Sequence, residues 1–195
     1  KKIIFDDFIT SSGEMKNKIE QMKKVAVSDI TVLLLGEPGT GKNILAHAMH
    51  NYSKRKDSVF VSLNCKTMDD EELEEALFGE KGKLQLAAEG TLFIDEIGAM
   101  SNKIQKKLLG VIEAKEAMAK GETPDLDVNA RIIVSSSDEL KDLLKENKLE
   151  QSLFFRLNEV SFKITPLKER KDDINLLIRY FLDEFNIEFN KQVSK

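Results

Sequence analysis

Residues 31–43 read TVLLLGEPGTGKN. The apolar run through Val32, Leu33, Leu34 and Leu35 has no polar break, as expected of a strand buried on both faces. Gly36, Gly39 and Gly41 then let backbone N–H groups turn toward an anion. Lys42 brings a point charge to the outer end of that anion, and a helix expected over about 42–52 adds the positive end of its dipole. Strand, glycine loop and helix in this order form the phosphate-loop pattern. Asn43 stands where that pattern ends in Ser or Thr. Its amide can still contact a magnesium ion or its water, less directly.

Working outward, strand-length apolar runs alternate with helical patterns. VFVSL (59–63), TLFI (91–94), RIIVSS (131–136) and VSFKI (160–164) read as further strands. Ser11 or Ser12 can cap a helix that carries Met15, Ile19, Met22 and Val25 on one face. Helices are also expected over 68–78, near 101–118, over DELKDLLKE (138–146) and over about 172–189. The piece FGEKGKLQLAAEG has room for one or two helical turns. Such alternation predicts an α/β fold, a five-stranded parallel sheet between two helical layers. Ligands then bind at the carboxyl ends of the strands. Pro166 marks a boundary, with an α/β unit over 1–166 and the first helix of a second unit over 167–195.

The run TLFI ends in Asp95 and Glu96. In nucleotide hydrolases with a phosphate loop, the first such acid holds magnesium and the second activates the attacking water. The guanine-reading NKxD pattern is absent, since NKIQ at 102–105 lacks the acid, which argues against a GTPase. A small-molecule kinase is disfavoured more weakly.

Composition narrows the partners. The hydrophobic share of 41% and charged share of 33% are ordinary for a soluble globular chain, and the net charge of −4 gives no general attraction to nucleic acid or acidic membranes. Lys54, Arg55 and Lys56 run into Asp57 and read as a solvated face. Cys65 is the one cysteine, so no internal disulfide forms, and a small buried side chain after a strand is the expected role. His47 and His50, three apart, read as helix-surface residues rather than metal ligands. No run approaches membrane-spanning length, and the expected compartment is the cytoplasm.

With these residues in view, the chain resembles the AAA+ domain of bacterial enhancer-binding proteins, the NtrC-like activators of sigma-54 polymerase. The resemblance runs through LLLGEPGTGK, FVSLNC, LFGEKG, GTLFIDEIG, IQKKLLGVIE, ARIIVSS and LFFRLNEVSFKITPLKERKDDI. It implies a P-loop αβα sandwich followed by the start of a helical lid, binding ATP or ADP with Mg²⁺ in the cytoplasm. It puts Ile9, Gly36, Glu37, Pro38, Gly39, Thr40, Gly41, Lys42, Asn43, Ile44, Asp95 and Ser137 at the nucleotide, with Asn43 and Asp95 toward the metal. Glu96 becomes the base, Asn64 the residue that can hold Glu96 in check, and Arg156 an arginine offered to a neighbouring subunit's nucleotide. The implied assembly is a homo-oligomeric ring, with receiver and DNA-binding modules elsewhere in a longer chain and no direct nucleic-acid or membrane binding by these residues.

Three departures matter. The family's sigma-contacting loop, tipped GAFTGA, lies between LFGxxKG and GxFxxAxGGTLF; here GEKG runs straight into KLQLAAEGTLF. The tip is absent, so the usual sigma-54 contact is not expected. The polar ATN after the fourth strand is Ser135-Ser136-Ser137. In FRxDLYYRL the first arginine is replaced by Glu150. The segment AKEAMAKGETPDLD (114–127), the nearest candidate for a substitute loop, reads as a polar helix end and turn. Three readings stay open: a motor working through another surface, a nucleotide-sensing switch with weak hydrolysis, and a scaffold without catalysis.

Overall fold

The computed structural model describes residues 2–123, 129–191 and 193. Five strands form one all-parallel sheet: β1 (Val32–Leu35), β2 (Phe60–Asn64), β3 (Thr91–Asp95), β4 (Arg131–Ser136) and β5 (Ser161–Lys163), in the order β2-β3-β4-β1-β5. Eight α-helices are described: α1 (Gly13–Ala26), α2 (Lys42–Tyr52), α3 (Asp70–Phe78), α4 (Lys83–Leu86), α5 (Asn102–Ala119), α6 (Leu140–Lys145), α7 (Gln151–Leu157) and α8 (Asp172–Glu188).

Alternate residues of the central strands feed two cores, as the pleat requires. Val32, Leu34, Phe93 and Ile133 pack with Met15, Met22, Leu45 and Met49 of α1 and α2. Leu33, Leu92, Ile94, Ile132 and Val134 pack on the other side with Leu73, Leu77, Ile104, Leu108 and Leu153, from α3, α5 and α7. A continuously apolar strand is what two covered faces demand, which is why β1 and β4 were readable. Ser12 settles the choice of cap: its side chain accepts a hydrogen bond from the Met15 N–H at the start of α1.

Helix α7 belongs to no element expected above. Leu153, Phe154 and Leu157 are buried on its inner side, but seven residues are too few to display a clear helical period. The short α4 follows a four-residue connection, Gly79 to Gly82, closed by the Gly82 N–H donating to the Gly79 carbonyl at 2.8 Å. Within the segment 114–127, α5 continues to Ala119 and turns at Lys120 and Gly121; residues 124–127 lie outside the described residues.

One expectation is corrected. His50 is not a surface residue. It is buried, and its Nδ1 lies 2.9 Å from Thr91 Oγ1 in β3, because the i, i+3 step from His47 carries it to the inner face of α2. Burial lowers the pKa of both imidazoles below the ordinary histidine value. Cys65 is buried as expected, and burial pushes its thiol up to about 12, which removes it as a nucleophile.

Candidate functional site

Register assembles the site. Asn64 pairs with Asp95 at the carboxyl ends of β2 and β3, while Leu35 pairs with Ser136 where β1 and β4 end. The loop after β1 therefore opens on the same side as the acids at the end of β3 and the serines at the end of β4.

Within the loop, Gly39 and Gly41 have φ of 80° and 99°, a region glycine enters freely. A Cβ on Gly41 would also meet the Phe8 ring at 2.7 Å, so packing and backbone both require glycine there. Thr40 is buried and closes the loop by donating its hydroxyl to the Glu37 carbonyl at 2.8 Å. The Lys42 ammonium is buried inside the curve. It donates to the carbonyls of Gly36 at 2.6 Å and Glu37 at 3.4 Å, and to Ser137 Oγ at 3.2 Å.

Opposite the loop, Asp95 accepts from Asn64 Nδ2 at 3.1 Å and from the Ser135 hydroxyl. Glu96 is buried and left-handed, with φ 62° and ψ 55°. Its N–H donates to Ser135 Oγ at 3.2 Å. Its carboxylate takes the Ser137 hydroxyl, Lys66 Nζ at 2.8 Å and, more distantly, Lys42 Nζ at 3.5 Å. Burial by itself would raise the Glu96 pKa. The hydrogen bonds from Lys66 and Ser137 and the charge of Lys42 outweigh it, and the carboxyl sits below its ordinary value.

Pro38, Gly39, Gly41, Lys42, Asn43, Ile44, Asn64, Lys66, Asp95 and Glu96 enclose a cavity of about 480 Å³. Ser137 joins this group through its bonds to Lys42 and Glu96. Gly36, Glu37 and Thr40 complete the loop behind it, with the Glu37 carboxylate paired to Lys168 at 2.5 Å. Ile9 is half-buried and is not part of the cavity wall. Arg156 stands elsewhere, at the amino ends of the strands. There it pairs with Glu116 at 2.8 Å and borders a cavity of about 640 Å³ with Asp29, Arg55 and Lys115.

Two contacts differ from what the resemblance implies. The partner of Asn64 here is Asp95, and Glu96 is held by Ser137 and Lys66. Lys66 itself was missed, although it follows Asn64 by two positions. The one-turn helix Cys65–Thr67, which swings it over the acids, leaves no periodic trace in SLNCKT.

Among the described residues no three His, Cys, Asp or Glu side chains form a metal cluster. Asp95 and Asn43 supply two oxygen donors on one cavity. That sparse set suits Mg²⁺, which keeps several waters and takes further oxygens from phosphate.

A parallel sheet of this order, with a glycine loop leaving the interior strand β1 and an acid pair at the end of β3, defines an α/β P-loop nucleoside-triphosphatase fold of the AAA+ type. More narrowly, this chain belongs to the family of the sigma-54 interaction domain, whose model matches residues 8–163. It is 36% identical to the Nif-specific regulatory protein of Herbaspirillum seropedicae over 96% of this chain and 37% of the relative. It is 39% identical to the transcriptional regulatory protein GlrR of Escherichia coli K12, over 89% of this chain and 42% of GlrR. The chain thus spans well under half of these relatives. Among solved structures, NtrX from Brucella abortus in complex with ATP superposes with a TM-score of 0.77 at 29% identity, covering 91% of this chain and 43% of NtrX. No described helix is long and apolar enough to cross a membrane.

Proposed function

We propose that this chain is the ATP-binding core of a sigma-54-type transcription regulator, binding ATP or ADP with Mg²⁺ and hydrolysing ATP slowly as a switch on self-assembly. The observation that carries the reading is the meeting of Lys42, Ser137 and Glu96 beside the glycine loop, with Lys42 Nζ 3.2 Å from the Ser137 hydroxyl and 3.5 Å from Glu96. The ATP complex of NtrX, a structural relative, supports the choice of nucleotide.

In this reading the loop amides and Lys42 bind the phosphate chain at the start of α2. Asn43 and Asp95 hold the magnesium, which when bound neutralises charge on the outer phosphates. Ser137 orients the terminal phosphoryl group. Glu96 takes the proton of a water whose oxygen bonds to the terminal phosphorus, as the bond from that phosphorus to its bridging oxygen breaks and ADP leaves with the electron pair. Arg156 reaches a nucleotide only across a subunit boundary, since its own chain's loop is at the other end of the sheet. Residues 167–195 form the start of the lid, in a longer parent chain that carries regulatory and DNA-binding modules and works in the cytoplasm. With Glu150, paired to Lys106 at 3.5 Å, where the family offers an arginine, turnover falls below that of a full motor; an arginine finger contributes about 10³–10⁵ in rate.

The deciding measurement is calorimetric titration of ATP and ADP with magnesium. Lys42→Ala is expected to abolish binding, and unchanged affinity would remove the site assignment. Turnover at or above about 1 s⁻¹ would refute the slow-switch reading.

A further inference from the structure

We propose that Lys66 is a specificity-determining residue of the nucleotide site: its ammonium group, bound to Glu96 in this structure, is shared with the outermost phosphate of a nucleoside triphosphate. The inference rests on the nucleotide reading above and adds to it a charge that discriminates triphosphate from diphosphate.

The local fold aims Lys66 at the site. Asn64 ends β2, and its side-chain oxygen accepts the Lys66 N–H at 2.9 Å, while Thr67 Oγ1 donates to the Asn64 carbonyl at 2.8 Å. These two bonds fix the turn Cys65–Thr67 and set the lysine on the cavity wall. Its Nζ then lies 2.8 Å from Glu96 Oε2, with Lys42 approaching Oε1. The Lys66 side chain is 52% exposed and that of Glu96 only 10%. The lysine can therefore exchange partners by rotating its own stem, with no change in the core.

The charges argue for exchange. Lys42 and Lys66 balance Asp95 and Glu96 on this wall. A magnesium-bound triphosphate adds net negative charge to the same cavity, and its outermost phosphate competes with Glu96 for each cation. A diphosphate lacks the outermost group and leaves the pair intact.

The test compares ADP and the non-hydrolysable β,γ-imido analogue of ATP, by calorimetry with magnesium, on the wild-type chain, Lys66→Ala and Lys66→Arg. Lys66→Ala is expected to weaken the analogue about tenfold, the size of one charge-assisted contact, with ADP affinity unchanged. Lys66→Arg restores the preference. Equal weakening of both nucleotides, or an unchanged analogue affinity, would overturn the inference while leaving the nucleotide site standing. A wild-type chain that binds neither nucleotide would remove the underlying reading, and this one with it.

Discussion

Glu96 holds a backbone conformation that glycine enters without cost and that glutamate adopts at an expense of about 1–3 kcal/mol. The strain persists because four contacts over-determine the residue: its N–H to Ser135, and its carboxylate to Ser137, Lys66 and Lys42. Two substitutions separate the backbone from the chemistry. Glu96→Gln keeps the strain and the shape but cannot take a proton. It should bind ATP normally and lose about a hundredfold or more in phosphate release. Glu96→Gly removes the strain together with the carboxylate. Its melting temperature should equal or exceed that of the wild type while hydrolysis disappears. A marked drop in melting temperature would mean that the carboxylate contacts stabilise the fold by more than the left-handed backbone costs.

At the scale of elements, Asp173 ties the start of α8 to the segment ahead of α1. This fully buried carboxylate accepts Thr10 Oγ1 and the Ser11 N–H at 2.6 Å each, Ser11 Oγ at 2.7 Å and Arg170 at 3.0 Å. The Arg170 guanidinium also covers the Phe8 ring at 4.9 Å, the same ring that abuts Gly41 of the phosphate loop. Burial would raise the Asp173 pKa, but its donors prevail and hold it well below the carboxylate range. The unfolded chain protonates this group near the ordinary value of about 4, and the folded chain does so only at lower pH. The unfolded state therefore binds more protons in that window. The contribution is complete above about pH 4 and is lost as pH falls through the folded value. Asp173→Asn should cost about 3 kcal/mol at neutral pH and flatten the acid limb of stability, as read from denaturant midpoints between pH 3 and 7. The ties to Thr10 and Ser11 could not be read from the chain, because those residues are 163 and 162 positions from Asp173. The strands and the phosphate loop were legible for the opposite reason: apolar runs and glycine spacing record local requirements. Lys66 and α7 fall between, being local features too short to leave a period.

For the whole molecule, the question is where a change at the nucleotide could be delivered. In the family this chain resembles, the sigma-54 contact is made by a loop tip carried between the elements that here become α3 and α4. The connection in this structure is four residues, Gly79 to Gly82, closed on itself by one 2.8 Å hydrogen bond. Adding a Cβ to Gly82 would bring it within 2.6 Å of the Leu77 carbonyl, so the turn is also packed tightly against the end of α3. Such a turn offers no aromatic anchor, and buried aromatic anchors provide much of the energy of protein contacts. Arg156 lies at the amino ends of the strands, where it is paired with Glu116. The expected consequence is self-association that responds to nucleotide, without a stable complex with sigma-54. The measurement is co-elution of the chain with purified sigma-54 in the presence of ADP–aluminium fluoride, beside a relative that carries the loop. The relative should shift and this chain should not. A nucleotide-dependent complex formed by this chain would show that the contact is made from another surface. The loop tip missing from the α3–α4 connection would then be dispensable for that contact.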